Sequence, residues 1–345
     1  ANGDRASAVA GGDRVMRRHP VRAALLALAA LALASPAFAQ SDKTPEKTPA
    51  VPAPQTATDQ AGSNQPDLAY GAFQRGYYLT ALKYATARAE KDDPQAMTLI
   101  GVLYANGLGV GQDSTKAAHW YELAAARGDP DAIFSLAMMY FAGQGVPKDP
   151  KKAASLLLQA ADKGHALAAY DLALLYLQGK TVTKDVKQAV QLLTQSAAAG
   201  NDKAQYALGT LYKQGHGVPK NQEKAMQLMG AASTAGNIDA MVEYAIAEFN
   251  GNGVKKDEPA AAELFLRAAR RGSPIAQDRL ARILMAGRGM PADPVEAVKW
   301  HIIAKAGGDK DAELDAFAAK QSKKVRDQAE KKAKEWLSTL LALRP

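Results

Sequence analysis

The sequence predicts an all-α solenoid built from two-helix repeats and preceded by a disordered N-terminal segment. Apolar residues recur at the three- and four-residue spacing of amphipathic helices, as at Ala132, Leu136 and Tyr140. Few stretches combine β-branched residues with strand alternation, and aromatic residues make up only 6% of the chain. Glycine also recurs with a strict 36-residue step, at Gly128, Gly164, Gly200, Gly236, Gly272 and Gly308. Because one pair of amphipathic helices cannot bury both of its apolar stripes, successive repeats must stack.

The first 39 residues are interpreted as a targeting segment. Met16 begins a basic region with three arginines and is the expected true start, so the preceding residues lie upstream of it. The apolar stretch over residues 23–34 is shorter than the roughly 20 residues that a membrane span needs. Ala-Phe-Ala at residues 37–39 has the small-x-small pattern that signal peptidase recognises. We expect cleavage after Ala39, a mature chain that begins at Gln40, and a periplasmic or secreted protein.

Residues 40–66 are expected to form a disordered linker rich in proline and threonine. The segment has no hydrophobic periodicity, and it cannot bury enough apolar surface to offset the entropy lost on ordering. Residues 67–92 then form a degenerate first repeat, since Ala81 lies one repeat step before Ala117. Six full repeats occupy residues 93–308. Residues 309–345 form a charged C-terminal cap, as one helix or a helix pair.

A glycine loop separates the two helices of each repeat. In the second repeat, Gly143 and Gly145 end the first helix, because glycine adopts a positive φ at little cost. Asp149 caps the second helix and Pro150 opens it. The stretch "ANGLGVGQD" could instead suggest a phosphate-binding loop, but glycine loops in strict register along the array indicate structural turns. The loop glycines include Gly107, Gly109, Gly143, Gly145, Gly215, Gly217, Gly251 and Gly253.

The repeat pattern resembles the Sel-one-like repeat family, a relative of the tetratricopeptide repeats. The pattern is A-x-x-x-L-G-x-x-Y-x-x-G-x-G-V followed by K-A-x-x-W-Y-x-x-A-A-x-x-G, and residues 96–128 match it nearly letter for letter. The resemblance implies a right-handed α/α solenoid of helix–turn–helix repeats with an adaptor role. The third repeat departs at "QGKTVTKD", and Glu248 stands where tyrosine is expected. We expect looser loops there and an unchanged fold.

The residues predict no catalytic group, cofactor or metal site. The chain has no cysteine, which excludes disulfides and thiolate nucleophiles. None of its five histidines forms an H-x-x-x-H pair, and no G-x-S-x-G motif is present. The formal net charge is +8, of which +3 lies in the first 39 residues, so nucleic acid is not a predicted partner. A cysteine-rich branch of the family is associated with penicillin binding and β-lactam hydrolysis, but this chain lacks those cysteines.

The candidate partner-binding residues lie on the first helix of the repeats, at positions outside the family consensus. We expect them to line a groove for a peptide or a helix, or to pack between neighbouring helices. The middle of the array is apolar and aromatic at these positions, whereas the far end is polar. The groove candidates are Phe134, Met138, Phe141, Tyr170, Leu174, Tyr206, Lys213 and Arg282.

The sequence therefore predicts a non-enzymatic, exported interaction scaffold that regulates or assembles an envelope complex. Its partner would be an envelope protein, and the chain itself would be a monomer. One alternative is an envelope enzyme that acts on peptidoglycan or binds β-lactams, which would need a cleft pairing a carboxylate with Ser, Lys or Tyr. Another is a membrane-surface protein whose basic C-terminal tail makes at most a peripheral membrane contact.

Overall fold

A computed structural model describes residues 67–342, which form sixteen α-helices and no strand. The predicted targeting segment, the linker of residues 40–66 and the last three residues lie outside this range. The helices are α1 (Leu68–Gln74), α2 (Tyr78–Ala89), α3 (Pro94–Asn106), α4 (Ser114–Ala126), α5 (Pro130–Ala142), α6 (Pro150–Asp162), α7 (Ala166–Gln178), α8 (Val186–Ala198), α9 (Asp202–Gln214), α10 (Gln222–Thr234), α11 (Ile238–Asn250), α12 (Glu258–Arg270), α13 (Pro274–Ala286), α14 (Pro294–Ala306), α15 (Ala312–Lys320) and α16 (Lys323–Ala342).

The helices α3 to α14 form six repeats, which we number 1 to 6 from the α3–α4 pair to the α13–α14 pair. The two helices of each repeat pack against each other, and the second helix packs on the first helix of the next repeat. Each of these twelve helices has 13 residues, so the repeats stack in constant register. This arrangement confirms the predicted all-α solenoid.

Local sequence signals set where each helix begins and ends. The carboxylate of Asp149 accepts hydrogen bonds from the backbone N–H groups of Lys151 and Lys152, and Pro150 occupies the first helical position of α6. At the end of α5, Gly143 adopts a left-handed conformation with φ of 74°, and its N–H donates to the carbonyl of Met139. The other repeats have equivalent caps, because Asp or Asn precedes every second helix and glycine follows every first helix.

The second glycine of the loop lies against the preceding repeat. A Cβ atom at Gly109 would be 2.8 Å from the Cβ of Tyr78, and one at Gly145 would overlap the backbone carbonyl of Ser114 at the start of α4. The loop can approach this closely because glycine has no side chain. The third repeat has Thr181 at this position without a positive φ, so its loop takes another path while α7 and α8 stay in register.

Alanine forms much of the core between stacked helices. Ala132, Ala153 and Ala160 have no exposed surface, and Leu157 fills the space beside them. Small side chains at these positions allow the helices to approach closely, and larger side chains such as Leu157 fill the space between them. The equivalent large residues in the next repeats are Leu193, Met229 and Phe265, all of which are buried.

Two further helix pairs lie at the ends of the array. α1 and α2 pack together, and α2 packs on α3. At the other end, α16 packs on α14, where Trp336 meets Trp300 edge to face at 5.6 Å and Lys332 forms an ion pair with Glu296. The charged segment after repeat 6 is thus two helices, with Leu314, Ala329 and Ala333 buried beneath them.

Candidate partner-binding surface

The first helices of the repeats present a surface that we call the A surface. It consists of the side chains at the fifth, ninth and twelfth residues of α3, α5, α7, α9, α11 and α13. Several of these side chains reach the next repeat along the array. The hydroxyl of Thr98 lies 3.1 Å from the carboxylate of Asp129, and the amino group of Lys213 lies 2.6 Å from the carboxylate of Glu243. The A surface is therefore a series of junctions between repeats, each with its own chemistry.

The A surface is apolar in repeat 2. Phe134, Met138 and Phe141, the three predicted groove residues on α5, are half-buried. Two of them, Phe134 and Met138, line an open cavity of about 230 Å³ between repeats 1 and 2. The other lining residues are Ala105, Gln112, Ser114, Tyr121, Ser135, Met139 and Gln144. Five of its nine lining residues are apolar or aromatic and four are polar and uncharged, so its chemistry is mixed, with an apolar majority.

His165 fixes the position of Phe134 beside this cavity. The Nδ1 atom of His165 accepts a hydrogen bond of 3.0 Å from the backbone N–H of Ala168 and so caps α7. An accepting nitrogen carries no proton, so in the neutral ring the proton lies on Nε2, which is 3.3 Å from the carboxylate of Asp131. The imidazole stacks on the Phe134 ring at 4.5 Å. His165 is therefore a structural residue in the wall of the A surface.

Tyr170 and Leu174 are core side chains, which corrects the expectation that they line a groove. Their exposed fractions are 8% and 4%, because repeats 3 and 4 close over them. The fifth and ninth helical positions are the same ones that remain accessible as Phe134 and Met138 in repeat 2. Sequence position alone thus does not decide whether a side chain at the A surface is open or covered.

Asp171 is a half-buried carboxyl group next to Tyr170. Burial raises the pKa of Asp171 to about 6, although the charge of Lys203 opposes this increase. The folded state therefore holds the Asp171 proton more tightly than the unfolded chain, in which the pKa has its ordinary value of 3.8. The contribution of Asp171 therefore lowers the stability of the fold as the pH rises from 3.8 to about 6, and it stays at that lower level above pH 6.

We expect Asp171→Asn to stabilise the protein at pH 8 by about 2 kcal/mol, because the variant carries no charge at this partly desolvated site. The gain should decline as the pH falls through 6 and disappear below 3.8, where Asp171 is protonated in both states. Urea unfolding followed by circular dichroism at several pH values measures this difference. The control is Glu263→Gln, since Glu263 is exposed on α12. A gain that is the same at pH 4 and pH 8 would contradict this account.

The A surface carries internally paired polar side chains in repeats 4 and 6, whereas in repeat 5 it is apolar. Lys213 is held by Glu243, and Tyr206 is half-buried beside it, where burial raises the pKa of its hydroxyl. The guanidinium of Arg282 contacts the carboxylates of Asp278, Asp311 and Glu313. These predicted groove residues hold neighbouring elements of the array together.

The remaining polar clusters have structural explanations. His301 is buried on α14, and its Nε2 lies 2.9 Å from the carboxylate of Asp315 on α15, which joins the last repeat to the cap. Within residues 67–342, no three metal-ligating side chains come together. No helix in the same range is both long enough and apolar enough to cross a lipid bilayer.

The fold and this surface define a helical-repeat scaffold protein, a class commonly used for protein–protein interaction. The chain belongs to the Sel1 repeat family, whose model matches six consecutive segments. The matched segments cover residues 94–129, 130–165, 166–201, 202–237, 238–273 and 274–309. They coincide with the six repeats of the structure and with the repeat step found in the sequence.

Solved structures support the same family. A Sel1 repeat protein from Oxalobacter formigenes is 30% identical, with a TM-score of 0.62 over 69% of this chain and 98% of that chain. The protein c5321, described as a protective antigen of uropathogenic Escherichia coli with an SLR fold, is 26% identical, with a TM-score of 0.50 over 76% of this chain and 64% of that chain. No curated protein matches this chain.

Proposed function

We propose that this chain is an exported, non-enzymatic scaffold that binds another protein of the bacterial envelope and regulates or assembles a complex there. The observation that carries the proposal is the apolar part of the A surface, where Phe134, Met138 and Phe141 lie half-buried beside an open cavity. Apolar and aromatic anchors in such settings contribute most of the affinity at protein–protein interfaces. At the A surface, Lys213 of repeat 4 and Arg282 of repeat 6 are already paired with carboxylates, so they are less available to a partner.

The proposal that the chain is not an enzyme is supported by the structural roles of the two histidines that lie near carboxylates. The Nδ1 atom of His165 is occupied by the backbone of α7, and His301 is buried between the last repeat and the cap. A general base needs a free nitrogen within reach of a substrate proton. These two histidines do not meet that requirement.

The export part is supported by the order of features at the N-terminus, where a basic region, an apolar stretch and Ala-Phe-Ala at residues 37–39 follow one another. N-terminal sequencing of protein from the envelope fraction is expected to give Gln40 as the first residue. Full-length protein retained in the cytoplasm would contradict export.

Binding through the A surface is tested by affinity capture from an envelope extract with the mature chain. We expect one stoichiometric protein partner, and we expect Met138→Glu to weaken its binding by about tenfold or more, because a charge enters an apolar contact. The matched control is Leu158→Glu, which changes an exposed leucine on α6 outside the A surface and should bind normally. Equal losses in both variants, with both folded, would exclude the A surface as the binding site.

A further inference from the structure

Repeat 1 has a smaller residue than the other repeats at one position that lines the cavity between repeats 1 and 2. The twelfth residue of its first helix is Ala105, which lines the cavity. The same helical position in repeats 2 to 6 carries a larger side chain, namely Phe141, Leu177, Lys213, Phe249 and Met285. A methyl group in place of a long or aromatic side chain leaves the space unfilled. The small residue at this position of repeat 1 therefore accounts for space in the cavity.

The cavity is also uncharged, for a similar reason. Gln112 lines it, whereas the equivalent residue is lysine in repeats 2 to 5, at Lys148, Lys184, Lys220 and Lys256. Ser135 lines it from α5, where Asp171, Glu243 and Arg279 occupy the matching position in repeats 3, 5 and 6. Burial raises the pKa of the Tyr121 hydroxyl to about 12, so this group is neutral at physiological pH. No charged side chain lines the cavity.

The walls suit an apolar group of variable shape. Met138 and Met139 contribute flexible thioether side chains, and the rings of Tyr121 and Phe134 contribute flat apolar faces. Gln112, Gln144 and Ser114 are also among the lining residues. The Nε2 atom of Gln112 already donates to the carbonyl of Ala105 at 2.8 Å, so the amide of Gln144 and the hydroxyl of Ser114 are the groups that could bond to a peptide. A charged side chain would lose its hydration here without gaining an opposite charge.

We propose that this cavity, bounded by Ala105, Tyr121, Phe134 and Met138, binds one uncharged, bulky apolar side chain of the protein partner, with neutral peptide groups on either side of it. The proposal deepens the proposed function and rests on it. The partner segment would carry leucine, phenylalanine or methionine at the anchor position and no charge next to it.

The test uses the mature chain with methyl-labelled methionine and three small probes. N-acetyl-leucinamide and N-acetyl-phenylalaninamide represent apolar anchors. The α-amide of N-acetyl-aspartic acid, whose side-chain carboxylate is free, represents a charged one. We expect the two apolar probes to shift the methyl signals of Met138 and Met139 in a saturable way, and the charged probe to leave them in place. Single Met→Leu substitutions at these two positions identify the signals.

Ala105→Phe fills the cavity with the side chain that repeats 2 and 5 carry at this position, so the variant is expected to fold. It should weaken binding of the apolar probes by at least about tenfold. The matched control, Leu177→Phe, makes the same change at the equivalent position of repeat 3 and should leave probe binding unaltered. Probe binding that survives Ala105→Phe, no saturable shift in the parent, or an equal response to the charged probe would overturn the proposal.

Capture from the envelope extract separates this proposal from the proposed function. A partner captured equally by the parent and by Ala105→Phe would leave the scaffold function standing and show that the cavity is not its anchor site. Probe binding without any captured protein would show that the cavity accepts an apolar group and that the proposed function is wrong. If Ala105→Phe loses probe binding and partner capture while the parent and Leu177→Phe keep them, both the scaffold function and the cavity proposal are supported.

Discussion

Gly145→Ala is expected to lower the free energy of unfolding by about 3 kcal/mol, whereas Gly164→Ala should lower it by only about 1–2 kcal/mol. Both glycines have a positive φ, of 69° and 86°, so both variants strain the backbone. They differ in what a Cβ atom would meet. At Gly145 it would overlap the backbone carbonyl of Ser114, while at Gly164 nothing lies within 4 Å.

The contact at Gly145 cannot be relieved by a change of rotamer, because Ser114 is backbone at the start of α4. Relief requires repeats 1 and 2 to move apart, so the loss falls on the interface between them. Urea unfolding of both variants, followed by circular dichroism, measures the difference. A broader transition for Gly145→Ala would place the damage at one interface. Equal costs for the two variants would show that φ strain alone governs these loops.

Arg282→Ala is expected to lower the free energy of unfolding by about 3 kcal/mol at pH 7.5, because it leaves carboxylates buried without an opposite charge. Its guanidinium lies 3.4 Å from the carboxylate of Asp278 and 2.6 Å from that of Glu313, and it also contacts Asp311. The side chains of Asp278 and Asp311 are only 14% and 7% exposed. Asp311 also caps α15, so the damage should reach the C-terminal cap.

The loss in Arg282→Ala should shrink at lower pH. Burial, together with the neighbouring Asp311, raises the pKa of Asp278 to about 6, so acid removes part of the uncompensated charge. The control is Arg288→Ala, which breaks the pair of a half-exposed arginine with Glu258 and should cost less than about 1 kcal/mol. Thermal unfolding at pH 5 and pH 7.5 tests both statements. A loss in Arg282→Ala that does not depend on pH would exclude the carboxylates as its cause.

The fold was predictable because its signals are periodic and local. Six glycines in strict register gave the repeat, and Asp149 followed by Pro150 marked a helix start that the structure contains. The sequence did not distinguish the surroundings of the two glycines in one loop. Gly143 and Gly145 both have a positive φ, but a Cβ atom at Gly143 would lie 3.1 Å from the Cβ of Lys148 in the same loop, whereas one at Gly145 would overlap the backbone of another repeat.

The candidate site was predictable only in part. Phe134 and Met138 line the cavity, but Tyr170 and Leu174 are buried at the same two helical positions. The exposure of a side chain at these positions depends on the next repeat, about 36 residues away. The residues around it in the sequence therefore do not predict whether it is exposed or buried.

Ala105 was missed because it is small and unremarkable by itself. Comparing the twelfth helical residue down the six repeats would have found it, since alanine occurs there only in repeat 1. The cavity residue is thus identified by a difference between repeats at one helical position. The consensus sequence of the repeats does not contain that information.

The stacking of each helix mainly on its neighbours along the chain also determines how the molecule responds to a pulling force. Tension applied at the two ends loads the interfaces in series, so the weakest one gives way while the others keep their structure. Each helix pair that detaches would release about 120 Å of extended chain. We expect the length of such an array under load to change in steps, one helix pair at a time, while the repeats that stay attached keep their structure.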